Sequence, residues 1–467
     1  MLMLKRKALF VIITALILSY NVKAATAQEK PAISVDEAVI IALGNNQDYK
    51  IASHRLEEAD EKVNAVWGQL LPALESEASI LRQGADTGPM SLSDGQYDLK
   101  FIQLRFGINP GAFYHSLKQS HAGYALAKEE LRRIRHEVEF NVIKGYFDAI
   151  LTGETVTLRS NSLQVLRENL KDVRRMYQTG SVPRFELLQA QVQLQNQEPV
   201  MREAENNYRT ALEIFNYHLG FNAITYTVKI DDVDKSTIRL PAEESVIPGL
   251  INAAMKNRPE VLQVSLQKDA LNHSRKVHQS SYLWPTFSVS GYYGKTYQLP
   301  NPVNINLGGG PSPDLSQITG SKDWQDTWQV RFAATYRWGT LIPFDSQRAL
   351  EREEREKIQE TEQKLLQIQR LTGITIRTSF GRLSTSYETI LSQEKNLETA
   401  EEGLRIARES YRAGVIKNAD LLNAELALTS ARTGYVKALY DYYMSRAELN
   451  REIGVNSDTV LFREDSK

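Results

Sequence analysis

Few residues in this chain have the types and spacing that chemistry would need. Seven histidines, His54, His115, His121, His136, His218, His273 and His278, show no zinc-protease spacing. His273 and His278, five residues apart, share a helix face poorly and make a weak metal pair. There is no Gly-rich phosphate loop and no nucleophile elbow, and the chain has no cysteine for a thiolate site or a disulfide. Catalysis therefore finds little support, and no cofactor or metal is implied. Charged runs such as Glu351-Arg-Glu-Glu-Arg-Glu-Lys357 read as solvated helix faces. Asp420 stands out because it falls at a helix start, where the helix dipole and free amides favour an acid by about 0.3–1 kcal/mol.

The turn that carries Asp420 occurs twice. Tyr177-Gln-Thr-Gly180-Ser-Val-Pro-Arg-Phe-Glu186-Leu-Leu-Gln-Ala190 returns as Tyr411-Arg-Ala-Gly414-Val-Ile-Lys-Asn-Ala-Asp420-Leu-Leu-Asn-Ala424, and the register holds without a gap to Leu219-Gly220 and Ile453-Gly454. An earlier pair, Ala42-Leu-Gly-Asn45 and Ala254-Met-Lys-Asn257, repeats at a shorter spacing, which requires an insertion in the second copy. The unit to interpret is a duplicated half. The expected organisation is a cleaved segment 1–27, a first repeat 28–244 and a second repeat 245–467.

Lys5, Arg6 and Lys7 precede an apolar run from Ala8 to Leu18, followed by small-residue sites at Val22-Lys-Ala24 or Ala25-Thr-Ala27. This reads as a secretory signal, with the mature chain expected to start near Ala25 or Gln28. Without cysteine, no residue at the cleavage point can carry a lipid. Lys and Arg, 56 together, nearly cancel the 57 Asp and Glu, so no overall field favours nucleic acid. Beyond the signal no apolar run is long enough for a transmembrane helix. The exported chain is either soluble or crosses a membrane as strands.

The elements that position the repeated turns are long helices. Leu163, Leu166, Leu170, Val173 and Tyr177 follow a 3, 4, 3, 4 spacing, matched by Leu397, Ala400, Leu404, Ala407 and Tyr411. After each turn, large residues recur every seven positions: Leu187, Leu194, Met201, Tyr208 and Phe215, then Leu421, Leu428, Tyr435, Tyr442 and Leu449. Small residues such as Ala190, Ala204 and Ala211 interleave with them, a pattern that suits closely packed supercoiled helices. No proline interrupts 112–179 or 346–413, enough for helices near 100 Å at about 1.5 Å per residue.

Strands connect the helices. Trp328, Val330, Phe332, Ala334, Tyr336 and Trp338 alternate with mostly polar residues. A partner strand is expected over 286–299, giving a pair within about 286–338, and a first-half pair over 73–83 and 97–106. In the latter, Tyr97, Leu99 and Phe101 change phase to Ile102, Leu104 and Phe106, as a bulge would require. Trp284, Tyr297, Trp324, Trp328, Tyr336 and Trp338 are placed as an aromatic girdle. The ten residues from Trp328 to Trp338, tilted by roughly 45°, would span about 24 Å, the height of an outer-membrane apolar band. The alternative for such a strand is packing on a soluble core. Four strands cannot close a barrel, so a dimer with eight or a trimer with twelve is required. The Gly-, Pro- and Ser-rich stretch 300–323 reads as an exposed loop.

The repeated Tyr-x-x-Gly…Leu-Leu-x-Ala turn, the Ala-Leu-x-Asn-Asn pattern, the Leu71-Pro72 and Trp284-Pro285 steps into strands and the signal segment together resemble the TolC-like outer membrane efflux family, over nearly the whole mature chain. The resemblance implies a mainly α fold with transmembrane β: a homotrimer sharing a twelve-stranded barrel in the outer membrane lipid, continued by an α-helical barrel in the periplasm. Helices over 35–68 and 245–281 would stack end to end with those over 183–219 and 418–453, with 221–244 and 455–467 forming a mixed region around them. The chain would be a passive exit duct for an inner-membrane transporter and its periplasmic adaptor. Tyr177, Gly180, Arg184 and Glu186 in tip 177–190, with Tyr411, Gly414 and Lys417 in tip 411–424, would face the adaptor. Asp420 would line the constriction, with Asn423 standing where the family's best-known member has a second acid. The rival reading is a periplasmic or surface coiled-coil protein without a pore.

Overall fold

The computed structural model describes residues 30–86, 90–229, 238, 244–298, 304–305, 323–338 and 345–455. The expected signal segment 1–27, most of the 300–323 loop and the tail from 456 lie outside them. The described elements are β1 (Ala32–Ile33), α1 (Val35–Asn45), α2 (Gln47–Gly68), β2 (Ala73–Asp86), β3 (Met90–Ile108), α3 (Pro110–Gln178), α4 (Arg184–His218), β4 (Thr227–Val228), α5 (Ile247–Asn257), α6 (Pro259–Leu283), β5 (Thr286–Gln298), β6 (Asn304–Ile305), β7 (Gln325–Thr335), α7 (Ser346–Arg412) and α8 (Asn418–Ile453). The unbroken helices α3 and α7, of 69 and 67 residues, match the proline-free stretches.

The chain divides into two compact units, one of Met1–Asn46, Asn141–Ile238 and Thr389–Asp441, the other of Gln47–Phe140, Arg239–Glu388 and Tyr442–Lys467. In the first, the small heptad positions Ala190, Ala204 and Ala211 are buried together with Phe215, as are Val173 of α3 and Leu404 of α7. Small residues there let the helix backbones approach, and Phe215 passes against the backbone edge at Gly145. Asn216, wholly buried, accepts from the Thr225 and Tyr226 amides at 2.8 and 2.9 Å and donates to the Leu212 and Tyr226 carbonyls. All its polar capacity is used, so its burial carries no unmet hydrogen bond. It holds the loop that leads into β4, which pairs in parallel with β1 through Ala32↔Thr227 and Ile33↔Val228.

The helices expected over 35–68 and 245–281 are each broken once. Asn46 is extended (ψ 133°) between α1 and α2, and Arg258 (ψ 120°) lies between α5 and α6, forced out of the helical region by Pro259. Each break receives a helix end. In the first unit Gly220, at φ +92°, lies so close to the Asn45 carbonyl that a Cβ would come within 2.6 Å of it, and the Asn46 side chain donates to the His218 carbonyl at 3.0 Å. In the second, Gly454, at φ +76°, abuts the Asn257 carbonyl, and Arg258 pairs with the buried Glu452 at 2.8 Å.

The sheet, within the second unit, is antiparallel in the order β2-β3-β5-β7, with β6 paired to the start of β3. β2 and β3 run beyond the expected 73–83 and 97–106. The expected bulge is present: the register slips at Phe101 against both neighbours, between Glu75 and Glu77 on one side and between Lys100 and Ile102 on the other. The Ser76 hydroxyl donates to the Phe101 carbonyl at 2.7 Å. Beside the slip the β3 backbone crowds β5, and a Cβ on Gly294 would lie 2.2 Å from the Leu99 carbonyl.

Candidate functional site

The two repeated turns are built alike. Gly180 and Gly414 have φ of +75° and +73°, and each terminates a helix with a wrapped-back bond, Ser181 N to Met176 O at 2.8 Å and Val415 N to Ser410 O at 2.9 Å. This left-handed stop favours glycine because a Cβ would strike the adjoining carbonyl. The next helix restarts differently in the two copies. At the second, the Asp420 carboxylate accepts from the Lys417 amide at 3.2 Å, a helix-start bond with the dipole in its favour. Asp420, Asn423, Lys417, Arg184 and Tyr177 are exposed, whereas Glu186 is partly buried.

The structure also joins the turns to each other through residues not anticipated from sequence. Asn169 of α3 and the buried Asn418 exchange amide hydrogen bonds at 2.5 and 3.1 Å. The Tyr411 hydroxyl lies 3.8 Å from the Met176 sulfur. Burial, then the Glu186 and Asp172 carboxylates, push that hydroxyl above its ordinary pKa. One sequence signal existed: Arg184 and Asn418 occupy matched positions in the two copies, so the pairing amide is present in only one.

The sheet separates polar from apolar residues by face. One face carries Glu75, Glu77, Asp98, Lys100 and Arg105, tied by Lys100–Glu77 at 3.1 Å, Arg105–Glu75 at 3.7 Å and a 2.7 Å bond from Thr296 to Asp98. The other carries the cross-strand rows Leu74–Leu104–Gly291–Val330 and Phe106–Val289–Phe332, with Phe332 at 78% exposure. A soluble sheet buries its apolar face; this one presents it outward, as a lipid-facing sheet does. Aromatics collect at both ends. Tyr297 contacts Tyr97 and Trp324 at 6.2 and 5.6 Å at one end. At the other, Tyr336 and Trp338, just past β7, are 5.0 Å apart, and Asn109 donates to the Trp284 carbonyl at 3.0 Å. Trp328 lies between the ends, opposite Tyr293. Phe287 to Tyr297, ten residues, would span about 24 Å if tilted by roughly 45°.

The profile of the outer membrane efflux protein family matches residues 39–215 and 250–455. The chain belongs to this family. It is an outer membrane channel extending into the periplasm, an exit duct for efflux or secretion, which displaces the poreless coiled-coil reading. Among its relatives is the alkaline protease secretion protein AprF of Pseudomonas aeruginosa, 23% identical over 92% of this chain and 86% of that one. The probable outer membrane lipoprotein SilC of Salmonella typhimurium is 20% identical over 88% and 84%. The fold is shared with the CmeC outer membrane channel of Campylobacter jejuni, with a TM-score of 0.70 and 18% identity over 90% of this chain and 85% of that one. It is shared likewise with CusC, with a TM-score of 0.69 and 17% identity over 90% and 92%.

In this efflux-family chain His273 and His278 take different partners. His273 lies against His115, Nδ1 to Nδ1 at 3.4 Å, while His278 bonds Gln347 at 3.1 Å. Among the described residues no three His, Asp or Glu side chains form a metal-binding group.

Proposed function

We propose that three copies of this chain close one twelve-stranded barrel in the outer membrane, each copy giving two hairpins of the duplicated sequence, and that the duct conducts without catalysing. The observation that carries this is the sheet: four long antiparallel strands with an outward apolar face are too few to close alone. The matched turns form the periplasmic mouth. Tyr177, Gly180, Arg184, Glu186, Tyr411, Gly414 and Lys417 meet the adaptor of an inner-membrane transporter, and Asp420 and Asn423 line the constriction. Trp284, Tyr297, Trp324, Tyr336 and Trp338 form the membrane girdle, consistent with the two aromatic clusters, whereas Trp328, expected in the girdle from its spacing, stands between them opposite Tyr293. The repeats divide as 28–244 and 245–467, behind a cleaved signal over 1–27. Native mass measurement of the detergent-solubilised protein tests the stoichiometry. Three copies are expected, and two or four would contradict it. Photo-crosslinkers at Tyr177 and Lys417 should capture the adaptor in intact cells; capture only from β7 positions would overturn the tip assignment.

A further inference from the structure

The apolar belt of the sheet continues past the strands onto two helix ends of the same unit. Leu71 and Leu283, at 73% and 63% exposure, precede the two steps into strands, and Trp67, in the last turn of α2, is also half exposed. No Lys, Arg, Asp or Glu occurs from Val63 to Leu74 or from Val277 to Gly294. A helix C-terminus in water favours a cation near its free carbonyls. Accordingly α3, α5, α7 and α8 each carry Lys or Arg in the last turn and α4 ends in His218, whereas α1, α2 and α6 carry none; of these three only α2 and α6 lead into the sheet. The polar boundary lies nearby: the Tyr282 hydroxyl donates to Glu351 at 2.6 Å, and Arg348 lies over the Tyr282 ring. An aromatic body with its hydroxyl turned to charge is the arrangement of a membrane–water interface.

We propose that the last turns of α2 and α6, with Leu71 and Leu283, are embedded in the periplasm-facing phospholipid leaflet, so that the bilayer edge falls on these helices, past the girdle residues Trp284, Tyr336 and Trp338 at the strand ends. This rests on the reading of the sheet as membrane-spanning, and its occupant follows from continuity with that lipid-facing surface. Because the chain has no cysteine, single spin labels can be placed cleanly. Leu71→Cys, Leu283→Cys, Phe332→Cys and Glu356→Cys variants of the full chain are reconstituted in phosphatidylethanolamine–phosphatidylglycerol vesicles, and collision with oxygen and with a water-soluble nickel chelate is measured. Labels at 71 and 283 should favour oxygen, as at 332, while the label at 356 favours nickel. Nickel-accessible labels at 71 and 283 with a lipid-exposed label at 332 would overturn the inference alone. Labels at 71 and 283 shielded from both reagents would also overturn it, by showing protein cover. A nickel-accessible label at 332 would sink the membrane-spanning reading itself.

Discussion

Asp420 performs one task that is visible in the structure and is assigned another. Its carboxylate closes the start of α8 on the Lys417 amide, and its exposed position suits the constriction role proposed for it. Asp420→Ala should lose about 0.3–1 kcal/mol of helix-start stabilisation and also raise basal conductance or shift ion selectivity. If bilayer recordings of the variant match the parent in both, Asp420 is a helix-start residue only. The Asn169–Asn418 pair makes a different prediction. Removing one amide leaves the other buried and unpaired, at a cost of about 1–3 kcal/mol. Asn169→Ala should therefore speed hydrogen exchange on both sides of the pair, at the end of α3 and the start of α8; unchanged exchange at the start of α8 would show that the pair does not tie the turns. Asp420 and the turn glycines were legible because their chemistry is local. The amide pair was not, because its members are far apart in sequence and nothing in Asn169 itself announces a partner.

Two joins between elements carry testable consequences. His115 on α3 faces His273 on α6, and burial, then nearby Lys276, holds both rings below their ordinary pKa. Asp269 opposes the shift at His273, and Lys118 adds to it. For a base whose folded pKa is depressed, the unfolded chain binds protons first, so the stability of this contact is present above about pH 6.5 and is lost as pH falls through the folded values. Between pH 7 and pH 5 the α3–α6 contact should loosen, seen as faster hydrogen exchange there, and His273→Gln should reduce that pH dependence. Equal pH dependence in parent and variant would contradict it. Gly454→Ala, forced into a left-handed backbone against the Asn257 carbonyl, should cost at least about 1–2 kcal/mol in thermal unfolding; a smaller loss would mean the helix break yields. The element pattern was largely readable, since heptads mark the long helices and the change of phase at Phe101 marks the bulge. The break at Asn46 was not, because no proline stands there and the residue packed against it, Gly220, is far away in sequence.

At the scale of the whole molecule, the described strands of one chain form an open sheet, not a closed barrel. Its helices bury small heptad residues internally, yet its sheet turns Phe332, Val330 and Leu74 outward and has two open edges, β2 and β7. Open strand edges with an apolar face are tolerable in a membrane only when other strands complete them. This incompleteness is the observation that supports the multi-copy barrel proposed above. The strand count readable in the sequence argues for more than one copy but does not choose between two and three, since local alternation contains no barrel curvature. The most direct measurement is conductance of the purified, full-length oligomer in planar bilayers. The account predicts discrete channel events that grow or change selectivity when Asp420 is replaced by alanine. An oligomer that stays silent in both forms, or a protein recovered as soluble periplasmic material, would contradict it.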